Sequence, residues 1–196
     1  MQLTTRVFSI SMGLIIVFLV SLLGCNTQKK ATTMTPEQLK VRGAYLTVTM
    51  GCHDCHSPKI FTAIGPVPDT TRALSGYPAN DVLPKIDPNV IGPDKWVLMN
   101  AQTTAFVGPW GVSFAANLTP DEQTGTGLWT DEIFMTAIRT GKHMGEGRAI
   151  LPPMPWMNIR KATDEDLQSI FAYLKSIKPI NNRVPAPIPP TEMGAY

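Results

Sequence analysis

Met50-Gly51-Cys52-His53-Asp54-Cys55-His56 holds two of the chain's three cysteines and two of its three histidines. Soft sulfur and imidazole donors crowded so tightly point to a shared occupant. Three occupants suit such a run: half of a zinc site, a dithiol redox pair, or a covalent haem anchor. The choice decides the fold, because each occupant demands a different scaffold around it.

The rest of the chain narrows the field. A structural zinc cage draws four ligands from Cys and His, and beyond His53 and His143 no second cysteine pair exists to complete one. A thioredoxin-like dithiol wants a βαβ context, which the sequence lacks. On a helix, Cys52, Cys55 and His56 share one face, since residues three and four apart are neighbours. Two thiols so placed can add across the two vinyl groups of one porphyrin while the adjacent imidazole reaches the iron. Cys-x-x-Cys-His is therefore read as attachment of one haem c through Cys52 and Cys55, with His56 as an axial ligand.

The 196 residues allow one ordinary domain plus tails. A formal charge of +2 with 16% charged residues gives no basic or acidic tract suited to nucleic acid. No internal repeat is visible, which argues against a solenoid.

The start of the chain reads as an export signal. Arg6 supplies a positive flank and FSISMGLIIVFLVSLLG an apolar core, shorter than the roughly 20 apolar residues of a spanning helix. Leu22-Leu23-Gly24-Cys25 resembles the lipobox of bacterial lipoproteins, which implies removal of residues 1–24 and lipid on Cys25. Two or more acyl chains anchor stably, at about 0.8 kcal/mol per buried methylene. The expected location is the bacterial cell envelope, lipid-anchored, with an exported and periplasmic domain. That compartment is oxidising, so neighbouring thiols would pair unless a cofactor consumed them.

Residues 25–34 read as a lipidated tether and residues 35–180 as the domain. Thr35-Pro36-Glu37-Gln38 is a helix start with a capping box and an early proline, and the helix should run to about Met50. Between residues 57 and 114 prolines recur too often for a long helix. An irregular Pro/Gly-rich insertion is expected there, with a short extended piece near Trp96–Met99. Thr130-Asp131-Glu132 caps a helix that ends at Gly141. Thr163 opens another, with Leu167, Ile170, Phe171, Leu174 and Ile177 on the i, i+3, i+4, i+7 stripe. Residues 181–196 read as a proline-rich tail with little to pack.

The second axial ligand must come from elsewhere. Met154 lies in Leu151-Pro152-Pro153-Met154-Pro155-Trp156, where flanking prolines fix φ and stiffen the loop. A thioether is a weak ligand and needs that stiffness. Met144, Met157 and His143 are its rivals. Trp129 and Trp156 could donate an indole N–H to a haem propionate, and Arg139 could pair with the same carboxylate.

Capped helix, Cys-x-x-Cys-His, later helix, PPMPW and terminal amphipathic helix in that order resemble a class I monohaem cytochrome c. Residues 113–121 (SFAANLTPD), residues 125–130 (GTGLWT) and LPPMPW resemble the branch found in bacterial respiratory chains and dehydrogenase cytochrome subunits. The resemblance covers roughly residues 37–178 and implies an all-α cytochrome c-like fold around one covalent haem, with Cys52, Cys55, His56 and Met154 in the family's attachment and axial roles. His56 and Met154 lie about a hundred residues apart, wider than in compact members.

A six-coordinate His/Met iron offers no place for substrate, and methionine ligation raises the potential. The expected function is single-electron transfer between redox protein partners, rather than catalysis. The alternatives are a haem enzyme or gas sensor with a displaceable sixth ligand, and a zinc-binding module.

Overall fold

The computed structural model describes residues 34–195, and residues from Met34 onward form one compact unit. The apolar leader and Cys25 lie outside the described residues. Among the described residues no helix is long and apolar enough to cross a membrane.

Helix α1 (Pro36–Thr49) starts where the sequence places it, with Thr35 and Gln38 closing a reciprocal capping box over the first turn. A left-handed Gly51 breaks it, and the chain restarts as the short helix α2 (Cys52–His56). Helix α3 (Asp131–Thr140) is capped by the Thr130 hydroxyl and stops at left-handed Gly141. Helix α4 (Trp156–Ile159) is a single turn, and α5 (Asp164–Ser176) begins in a second capping box, Thr163 with Asp166.

The main core forms where α3 and α5 turn their apolar stripes together. Phe134 stacks on Phe171 with ring centroids 4.8 Å apart, and Leu74, Ile138, Ile159, Leu167, Ile170 and Leu174 are buried around them. Helix α1 crosses α5 at close range through Gly43: a Cβ there would sit 1.9 Å from the Ser169 carbonyl oxygen. Cys52, Leu46 and Met50 pack against this core, so the helical core carries the attachment helix directly.

Helices make up most of the regular structure, and short strands accompany them. Two small antiparallel sheets lie in the insertion. Strands β1 (Lys59–Thr62) and β2 (Gly65–Pro68) make a hairpin directly after α2. Strands β3 (Leu98–Met99), β4 (Ala105–Gly108) and β5 (Gly111–Phe114) make a meander, with Phe106 opposite Ser113 and Val107 opposite Val112. Prolines around these short strands do not prevent them, because they fall mainly at strand ends, in turns and in connections.

The tail also differs from the expectation. Val112 and Ile188 exchange backbone hydrogen bonds of 2.8 and 3.0 Å, which adds the tail to the edge of β5. Ile91, Val107, Val112 and Ile188 form a second, smaller core. Asn182 fixes the approach of the tail: its side-chain amide donates to Ser75 and Tyr77 carbonyls at 2.7 and 2.9 Å.

Candidate haem-binding site

Helix α2 carries both cysteines and His56, as the spacing requires. Neither thiol is in a disulfide. Cys55 lines the central cavity, and Cys52 packs against the helical core. Burial pushes the Cys52 thiol up to about 11, with Asp54 adding in the same direction, and burial also raises Cys55. A zinc ligand or redox nucleophile must be a thiolate, and this setting opposes one. A thioether is neutral and escapes that cost.

His56 is 8% exposed, and its Nδ1 lies 2.8 Å from the Ala116 carbonyl oxygen. A carbonyl only accepts, so Nδ1 carries the proton and Nε2 keeps its lone pair. Nε2 has no hydrogen-bond partner among the described residues, and the ring lines the cavity. Burial also lowers the imidazole's proton affinity. A carbonyl behind the ring in this way fixes the tautomer and orientation of a metal-ligating histidine.

The geometry behind that carbonyl depends on Gly76. Its N–H donates to the His56 carbonyl at 2.7 Å, its φ is +80°, and a Cβ there would meet the Ala115 oxygen at 2.4 Å. Only glycine lets the turn after Leu74 pass between α2 and the segment that presents Ala116. Lys59 completes the support, its ammonium donating to the carbonyls of His53, Asp54 and Ser57 at 3.1, 3.0 and 2.5 Å. It neutralises the C-terminal end of α2, where carbonyls lack partners.

The cavity has a volume of about 300 Å³, at the small end of cofactor pockets. Its walls are mostly apolar: Phe106, Phe114, Leu118, Phe134, Ile138 and Ile150 contribute, with Pro185 and Pro187 of the tail. Met154 lines it, whereas its rivals Met144 and Met157 are exposed. Trp129 and His143 line it too, ring centroids 5.3 Å apart and edge to face. One thiol in the cavity with a second three residues before it on α2, an imidazole with a free lone pair, a thioether and a greasy wall form a donor set that fits a covalently held haem. Among the described residues no group of three or more His, Cys, Asp or Glu gathers as a metal cage.

Two sequence candidates point elsewhere. Arg139 donates to the carbonyls of Arg160 and Ala162 and pairs with Asp164 at 2.5 Å, so its guanidinium serves the start of α5. Trp156 is not among the cavity residues; its ring packs over Gly141, with Arg160 5.6 Å from its centroid. The cationic residues in the wall are instead Arg148 and Arg183. The Arg148 guanidinium makes no salt bridge among the described residues, and its one hydrogen bond there is to the neighbouring Ala149 carbonyl at 3.3 Å. Sequence reasoning missed both, because an isolated arginine in a loop reads as solvated.

No protein-family model matches the chain. Curated proteins similar to it include a nicotinate dehydrogenase component of Pseudomonas putida, 37% identical over 87 residues, which are 44% of this chain and 7% of that protein. The fructose dehydrogenase cytochrome subunit of Gluconobacter japonicus is 34% identical over 90 residues, 45% of this chain and 18% of the relative. The cytochrome c subunit of the quinone alcohol dehydrogenase of Gluconobacter oxydans is 31% identical over 80 residues, 40% and 16% of the two chains. The matched stretch thus spans less than a fifth of the length of these relatives. Over the part they share, the chain is similar to the cytochrome c subunits of dehydrogenases.

Proposed function

We propose that this protein is a membrane-anchored monohaem cytochrome c that passes single electrons between redox protein partners. The observation that carries the reading is the His56 imidazole, held by Ala116 through Nδ1 and free at Nε2 in a cavity that also receives Met154. A haem bound there supplies a one-electron iron couple. Cys52 and Cys55 would hold it through thioether bonds, and His56 and Met154 would supply the ligands to its iron. The aromatic and aliphatic wall limits water, so a change of charge costs little solvent rearrangement. Similarity to dehydrogenase cytochrome subunits supports a donor that is itself an oxidoreductase. Lipid on Cys25 would keep the domain at a membrane face in the cell envelope, which confines its search for partners to two dimensions.

His143 in the same cavity favours one second reading, a centre whose sixth ligand is exchanged. The two readings separate on the ferric spectrum. Expressed with a haem-attachment apparatus, the wild type should stain for covalent haem on a denaturing gel and show the long-wavelength sulfur-to-iron band. Met154→Ala should abolish the band and keep the haem. Cys52→Ala with Cys55→Ala should abolish the covalent stain. A colourless wild-type protein would refute the proposal. Cys25→Ala should release the domain from the membrane fraction.

A further inference from the structure

We infer that Ser113 is the positioning residue that holds the Met154 loop against the cavity. The inference rests on the reading of Met154 as an axial ligand. Ser113 lies on β5, in the insertion, and is 7% exposed. Its hydroxyl donates to the Pro152 carbonyl at 2.5 Å and accepts the Trp110 indole N–H at 3.2 Å. Pro152 stands two residues before Met154.

The loop has few other tethers. Pro152, Pro153 and Pro155 lack an N–H, and the Met154 N–H turns back to the Leu151 carbonyl within the loop. Among the described residues, the bond from Ser113 is the only hydrogen bond that joins residues 151–154 to another part of the fold. A thioether binds iron weakly, so the time it spends bound follows the stiffness of the segment presenting it. Proline fixes the local shape of the loop; Ser113 fixes where that shape sits.

The strand that offers this hydroxyl is itself immobilised. Ser113 faces Phe106 across the β4–β5 ladder, and the preceding Val112 is locked to Ile188. Three residues past Ser113, Ala116 holds the other ligand, His56. Residues 113–116 therefore brace both axial side chains from one piece of backbone, which gives the long insertion a role in ligand geometry.

The test uses the ferric holoprotein, with imidazole as a competitor for the sixth position. Ser113→Ala should weaken the sulfur-to-iron band and raise imidazole affinity about threefold to fivefold, the effect of losing one partly buried hydrogen bond. Ser113→Thr, which keeps the hydroxyl, should restore both. Ser113→Cys, close in size with a weak donor, should fall between them and serves if the alanine variant fails to fold. The haem-stain yield should be the same in all. If the wild type has the band and Ser113→Ala or Ser113→Cys leaves both readouts unchanged, this inference alone is overturned. A wild type without the band overturns the Met154 reading and this inference with it.

Discussion

Ile188 and Val112 are joined by a reciprocal pair of backbone hydrogen bonds, with both side chains buried in the smaller core. The last stretch of the chain thereby becomes a partner of the insertion and carries Pro185 and Pro187 into the cavity wall. Ile188→Ala should destabilise the fold by about 2–4 kcal/mol, the usual cost of a buried isoleucine truncation. Deleting residues 181–196 should also open that wall to water. Denaturant unfolding measures the first effect, and faster binding of small exogenous ligands to the haem measures the second.

Gly43 presses its Cα against the backbone of α5, where a Cβ would meet Ser169 O at 1.9 Å and Tyr173 Cβ at 2.7 Å. Neither neighbour is a flexible side-chain end, so the helices would have to separate. Gly43→Ala should cost about 1–3 kcal/mol, in the range of overpacked cores, even though alanine favours helix. Thermal unfolding of the holoprotein reads the change. Spectral identity of the folded variant would place its effect on packing rather than on the iron ligands.

The parts of this molecule that were legible in the sequence are those encoded within a few residues. Thr35, Thr130 and Thr163 cap helices because a hydroxyl reaches an N–H two or three positions on. The Cys52, Cys55 and His56 spacing works the same way. Ala116 could not be read as a partner of His56, since any residue has a carbonyl and the two lie 60 positions apart. The Ser113 bond to Pro152 was hidden for the same reason. The β4–β5 hairpin did leave a trace: Phe106 and Val107 before Gly108-Pro109-Trp110-Gly111, then Val112, is apolar sequence flanking a turn. The abundance of proline around it masked that trace. Arg139 and Trp156 make their contacts at the start of α5 and over Gly141, because residue type gives a capacity for bonding and says nothing of direction.

Acid should weaken the segment beside α2. Asp69 accepts from the Thr71 N–H at 2.9 Å, the Thr71 hydroxyl at 2.6 Å and Arg72 Nε at 2.8 Å. Those hydrogen bonds, Thr71's first, hold its carboxyl at about 2 against an ordinary 3.8. A carboxyl depressed by folding contributes stability above its unfolded pKa and loses it as pH falls through the folded one. The contribution should therefore be intact above about pH 4 and gone below about pH 2. Asp69→Asn, which cannot ionise, should flatten the wild-type decline across that window in an acid titration of denaturant midpoints.

Arg148 gives a prediction for the redox midpoint itself. Its guanidinium lines the cavity and lacks an acidic partner among the described residues, and burial works against its charge. A cation in that wall disfavours the ferric state, which carries one more positive charge than the ferrous. Arg148→Gln should therefore lower the midpoint potential. A unit charge about 10 Å away contributes on the order of 1–2 kcal/mol at a partly buried site, and solvent screening reduces that for Arg148, which is exposed. With 59 mV corresponding to about 1.4 kcal/mol for one electron, the expected fall is on the order of 20 mV. If a haem carboxylate is its partner, leaving that anion unpaired pushes the same way. Arg148→Lys keeps the charge and should move the potential much less. Equal potentials for all three proteins in a spectroelectrochemical titration would remove Arg148 from the electrostatics of the centre.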